Sequence, residues 1–267
     1  MDITEYDCRA GGKMLVLAFA LCAATLAHGQ DSGKWQFEAA PYIWIAGTDL
    51  SARIGATTPG ATMNGRVSGT LSSATDAGAM GTLEARRGRL GFLVDMWRLE
   101  VSNGSKAVLG GWLGNVTLKT TQDVVGLAAA YRVWNGQTTP VDIAAGARYS
   151  SLRADISLSP GLSSPQGARY TDSANWPDVY AGVRVTHALT DKWSLVGYAD
   201  IGAGVTKKSW QALAGANYTL SKNTSVKFGY RVFNMDFERH RFIYDVRTEL
   251  QFSMKTSGIY AGLGVKF

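Results

Sequence analysis

The chain has 267 residues, a formal net charge of +6, 46% hydrophobic and 18% charged residues, 31 glycines, and 8 Trp, 11 Tyr and 9 Phe. Lys and Arg are spread singly rather than clustered, which argues against a nucleic-acid partner. No segment beyond the N-terminal region approaches the roughly 20 consecutive apolar residues that a membrane-spanning helix needs, so the helical membrane class is excluded.

The first segment to read is the N-terminus. Lys13 precedes an apolar run from Leu15 to Leu26, followed by Ala27-His28-Gly29. A base, an apolar core and a small-x-small exit form a secretory signal peptide, expected to span residues 1–29 with cleavage after Gly29 or Ala27. Met14 offers a second start. Cys8 and Cys22 both fall in this segment, so the mature chain carries no thiol, which suits the periplasm and outer membrane. Removing two bases (Arg9, Lys13) and three acids (Asp2, Glu5, Asp7) raises the net charge from +6 to +7.

From Trp35 onward the hydrophobic period is two, the signature of strands facing different media on their two sides. The expected strands are 35–47, 78–87, 89–100, 118–133, 140–153, 176–187, 192–203, 207–220, 223–236 and 253–267. The last shows the pattern most clearly: Ile259, Ala261, Leu263, Val265 and Phe267 share one face, and Tyr260, Gly262, Gly264 and Lys266 the other. Short links around Arg87-Gly88, Asn135-Gly136-Gln137, Leu189-Thr190-Asp191 and Ser221-Lys222-Asn223 alternate with long connections over 48–77, 101–118, 154–175 and 236–252. Tight turns at one end and long loops at the other fit the two rims of an outer-membrane barrel. The expectation is therefore an all-β, transmembrane, antiparallel up-and-down barrel of about ten strands, within a range of eight to twelve, formed by residues 30–267. A further hairpin in 48–70 or 237–252 would make twelve. Region 48–77, rich in Thr, Ser, Gly and Ala, is expected to be a surface loop.

Alternation alone does not separate a membrane barrel from a soluble sandwich. Trp35, Tyr131, Tyr149, Trp193, Trp210 and Tyr218 sit at the ends of apolar rows, where interfacial aromatic girdles lie. The Tyr260…Phe267 pattern resembles the terminal strand read by the barrel-assembly machinery. The stretch Trp35-Gln36-Phe37-Glu38-Ala39-Ala40-Pro41-Tyr42-Ile43-Trp44 and the hairpin from Leu83 to Phe92 resemble a small proteobacterial outer-membrane β-barrel family, and the architecture is similar to the OmpW and OmpX type. That resemblance implies location in the cell outer membrane and a barrel fold, and says little about activity.

On this register the acids Glu38, Glu84, Asp95, Asp142, Asp178 and Asp200 and the bases Arg86, Arg132, Arg148, Arg184, Lys227, Arg231 and Lys266 point inward. Unpaired charges in a narrow lumen cost several kcal/mol each, so acids and bases are expected to pair across it. A salt-bridged structural barrel is the first reading, and a narrow passive pore for small solutes the second. Catalysis is not expected. His187 sits beside a periplasmic turn, His240 lies in a charged run with Asp245 nearby, and no hydrolase, phosphate-loop or metal motif occurs. No cofactor and no metal are expected. Bases at the outer rim (Arg53, Arg66, Lys106, Arg169, Lys207, Lys208, Arg239, Arg241) could meet lipopolysaccharide phosphates. Membrane lipid, lipopolysaccharide and the barrel-assembly machinery are the expected partners, with loop-mediated adhesion as a further alternative.

Overall fold

The computed structural model covers residues 33–58, 61–71, 73–77, 80–102, 106–107, 115–160, 166–206, 208–243 and 246–267, with backbone alone over 52–77 and 238–252. The signal-peptide expectation for 1–29 lies outside these residues. The strands are β1 (Gln36–Thr58), β2 (Ala61–Leu71), β3 (Ser73–Ala77), β4 (Met80–Arg87), β5 (Leu90–Ser102), β6 (Lys106–Ala107), β7 (Asn115–Asn135), β8 (Pro140–Leu158), β9 (Ala168–Ala188), β10 (Trp193–Gly204), β11 (Lys208–Thr219), β12 (Thr224–Ile243) and β13 (Val246–Lys266).

All pairings are antiparallel, and the sheet closes because β1 pairs with β13 on one side and with β2 and β4 on the other. β2, β3 and β4 act as one stave: β2 and β4 line β1, and β3 and β4 line β5. Thr48 lies opposite Leu71 but Tyr42 lies opposite Met80, so nine steps on the returning strand match six on β1. Such an excess bends a wall. Counted by staves, this is a closed ten-stranded barrel. Closure removes every sheet edge within the hydrocarbon, which a membrane-spanning sheet requires.

The tight turns gather at the end that also holds both termini of the barrel. Gly88, with φ of +57°, takes the first central position of the two-residue β4–β5 turn, where a side chain would be strained. The turn is thus Gly88-Arg89, one residue later than expected. Phe37 and Phe267 exchange both backbone hydrogen bonds, at 3.1 and 3.0 Å, and their rings stack at 5.8 Å.

Outward positions form an apolar belt. Ile43, Ile45, Leu127, Val179, Ile201 and Ile259 are each more than half exposed. In water this continuous surface would be a severe liability; against hydrocarbon it is the required finish. The belt is bounded by rings: Trp193 packs on Tyr218 (4.8 Å) and Phe228 (6.1 Å) near the turns, while Tyr149 and Trp210 stand near its other margin. Beyond that margin the outward row turns polar, with Ser257 and Lys255 on β13, Arg98 and Glu100 on β5, and Asp123 and Lys119 on β7.

The ten expected runs are all present, but the long loops are corrected. A membrane strand needs about 9–11 residues, whereas β1 has 23, β7, β9 and β13 have 21, β12 has 20 and β8 has 19. Residues 48–58 pair with 61–71, and 236–243 with 246–253. Most of 48–77, 154–158, 168–175 and 236–252 is therefore strand rising above the belt. These arms add no staves. Their sequences lack the one-sided apolar pattern because hydrocarbon wets neither face at that height.

Candidate functional site: the barrel lumen

Alternation sends every second side chain inward, and the inward set is stratified along the axis. Nearest the turns is an ionic layer. Arg184 donates to both oxygens of Glu84, at 2.7 and 2.9 Å, and also reaches Asp142 Oδ2 at 2.9 Å. Arg86 bridges Glu84 (2.9 Å) and Asp142 (2.9 Å), and Arg132 adds a 2.9 Å bond to Asp142. Lys227 pairs with Glu38 across the closure between β12, β13 and β1. Three guanidiniums around two carboxylates satisfy each other through forked, charge-assisted hydrogen bonds.

One level up, Arg231 is inserted between Asp95, Tyr42 (2.6 Å to Oη) and Gln211 (2.6 Å to Oε1). Arg148 donates to Asp200 at 2.7 Å, and Tyr198 Oη donates to the same carboxylate at 2.8 Å. Both arginines also lie over aromatic faces: Arg148 over Tyr180 (4.5 Å) and Phe233 (5.1 Å), Arg231 over Trp44 (5.1 Å) and Trp97 (5.6 Å). A planar guanidinium is suited to both hydrogen bonding and stacking, which a lysine is not. Tyr260 fits at this level because glycines face it. A Cβ on Gly215 would come 2.3 Å from its Oη, and one on Gly229 would come 2.9 Å from its Cε1.

Above the guanidiniums an aromatic and aliphatic cluster fills the lumen, with the polar side chains of Thr48, Gln122, Ser150 and Thr256 buried alongside it. Trp44, Trp97, Leu99, Phe233, Met235 and Met254 are each at most 2% exposed. Trp97 meets Trp44 and Phe233 edge-to-face at 5.2 and 5.3 Å, a favoured geometry for aromatic pairs. Trp97 Nε1, Trp176 Nε1, Arg148 Nη1, Asp200 Oδ1 and Ser209 Oγ are buried without a hydrogen-bond partner. Each such atom costs roughly 1–3 kcal/mol, offset by the packing and ion pairs around it.

Twelve of the thirteen expected lumen charges take part in these layers or in the turn that follows, and two depart from the expectation of cross-lumen pairing. Asp178 is opposite Arg148 in register, yet it accepts from Thr206 N (3.0 Å) and Oγ1 (2.7 Å), holding the β10–β11 turn. A fixed carboxylate can satisfy a turn amide as well as a base. Lys266 is exposed at the turn-side rim. The sequence reading put Tyr180 on the inward face with Asp178 but missed the inward aromatics Tyr42, Trp44, Trp97 and Phe233. Parity would have found them: Tyr42 and Trp44 share the parity of Glu38, Trp97 that of Asp95 and Phe233 that of Arg231, just as Tyr180 shares that of Asp178. His187 is exposed and its Nδ1 contacts Thr139 Oγ1 at 2.7 Å. His240 has its backbone opposite Glu249, and its side chain and Asp245 lie outside the described residues. Among the described residues no cluster of three or more His, Cys, Asp or Glu could hold a metal.

No protein-family model and no curated protein matches the chain. Solved structures do. The outer membrane protease OmpT from Escherichia coli aligns over 92% of this chain and 100% of its own, with a TM-score of 0.50 and 9% identity. Neisserial surface protein A aligns over 90% and 100% with a TM-score of 0.29 and 18% identity, and the Ralstonia pickettii toluene transporter TbuX over 88% and 89% with 0.38 and 12%. The chain has the fold of bacterial outer-membrane β-barrels. With its apolar outer belt and closed sheet, it is an integral protein of the outer membrane.

Proposed function

We propose that this protein is a structural barrel of the cell envelope, closed to ions and acting through its outer surface and tall rim rather than as an open pore. The observation that carries this is the stacking of two ionic levels beneath an aromatic layer whose residues are at most 2% exposed. A barrel of about this size is just wide enough to be filled by its own side chains. The reading includes no enzymatic activity, in keeping with His187 being bound to a threonine at the turn-side rim. It keeps the resemblance of the Trp35–Trp44 and Leu83–Phe92 motifs to a small proteobacterial outer-membrane β-barrel family, and of the wider architecture to the OmpW and OmpX type. It also keeps the expectation that Tyr260 and Phe267 mark the strand read by the barrel-assembly machinery, and that lipid and lipopolysaccharide are the partners.

The test is reconstitution of folded protein, verified by a heat-modifiable gel shift, in a planar bilayer. The membrane is expected to stay silent. Sustained discrete conductance steps from the wild type would replace this reading with the narrow pore for small solutes.

A further inference from the structure

Among the described strands, the barrel wall is low between β9 and β12. Those strands continue above Asp178 and Asp236, whereas β10 stops at Gly204 and β11 starts at Lys208. Asp178 draws the connecting turn down by binding Thr206. Just below this notch the outer face carries an open groove of about 480 Å³, lined by Val179, Ala181, Ile201, Ala203 and Lys208.

Register explains the groove. Val179 pairs with Ala203 and Ala181 with Ile201, so a branched side chain stands beside a methyl on each rung. Val179 and Ile201, 68% and 58% exposed, form the walls, and the two alanines form the floor. Trp210 pairs with Ile201 and Ser209 with Gly202, and beyond the last pair Ala203 and Lys208 both line the groove. Lys208 is exposed and makes no ion pair among the described residues. The carboxylate opposite it, on Asp236, accepts a 2.7 Å bond from Ser253.

We infer that this groove seats an acyl chain of a phosphorylated glycolipid of the outer leaflet, with its phosphate on the Lys208 ammonium. The floor is apolar at hydrocarbon height, the cation stands one step beyond an interfacial tryptophan, and the missing wall above leaves room for a bulky sugar headgroup. A phospholipid shares the phosphate and the chains but does not need the notch. The inference rests on location in the outer membrane and is independent of whether the lumen conducts.

Native mass spectrometry of the folded protein, offered lipid A and phosphatidylethanolamine at equal concentration, tests it. The wild type is expected to retain lipid A in preference. Lys208→Ala should lower that occupancy roughly fivefold, the effect of one base near a charged lipid surface. Ala203→Phe, which fills the floor, should abolish it, while Lys222→Ala at the opposite, turn-side rim should leave it unchanged. Equal retention by wild type and Lys208→Ala, equal retention of phosphatidylethanolamine, or an equal loss in Lys222→Ala overturns the assignment. Should Ala203→Phe not fold, Lys208→Ala decides alone.

Discussion

Two ion pairs of like chemistry sit in different surroundings. Arg98 and Asp123, on the outer face above the apolar belt, form a forked pair at 2.5 and 3.0 Å with side chains 50% and 36% exposed. Arg148 and Asp200, inside the lumen, share one 2.7 Å bond with side chains 4% and 0% exposed. Geometry favours the outer pair. Energetics favours the inner one, because water and salt screen the first and neither screens the second. Breaking an inner pair leaves a charge with no solvent to receive it; breaking an outer pair returns two ions to water.

Arg148→Ala should therefore have the largest effect, about 3–5 kcal/mol, because among the described residues Asp200 then keeps only Tyr198 as donor. Equilibrium unfolding in detergent, followed by gel mobility, measures it. A loss below about 1 kcal/mol would place the inner pair level with the outer one. Replacing both partners, Arg148→Met with Asp200→Leu, should recover most of the stability, since apolar substitutes need no partner.

Trp44→Ala removes the buried indole that packs on Trp97 at 5.2 Å. A cost of roughly 3 kcal/mol is expected, together with conductance, which the proposed closed barrel would not show as wild type. Stability loss without conductance would show that the ionic layers alone close the lumen.

Arg98→Ala should cost less than about 1 kcal/mol, and even that should vanish in high salt. A larger, salt-independent loss would mean the outer collar is shielded from water.

The smallest effect is a pH dependence in the same collar. The Thr171 hydroxyl, at 2.5 Å, is the main cause holding the Asp155 carboxyl below its usual range; burial opposes this and Arg153 reinforces it. A lowered folded value favours the native state at neutral pH. The contribution is present above the ordinary aspartate value and is lost as pH falls through the lowered one. Asp155→Asn should thus be less stable than wild type at neutral pH and converge with it in acid. Parallel stability curves would remove Asp155 as the source.

Much of the barrel was legible in the residues. Ile259, Ala261, Leu263 and Val265 alternate with Tyr260, Gly262 and Gly264 because one face meets lipid, and the same contrast fixed all ten belt segments and the inward charges. The arms above the belt were not legible: residues such as Ser51 and Arg53 pair with Ser253 and Gln251 in the backbone ladder, which requires no apolar rhythm in the side chains. The register shift between Leu71 and Met80 was hidden for the same reason.

Sequence by itself determined that the strands have two unlike faces and which parity carries the inward charges, because two different media impose a period of two; the terminal aromatics, rather than the alternation, pointed to a membrane. Only the tertiary structure decided which inward charges meet, that Asp178 holds a turn instead of a base, and that aromatics pack the lumen above the arginines. Those outcomes depend on stagger between strands distant in the chain, and a period of two carries no information about stagger.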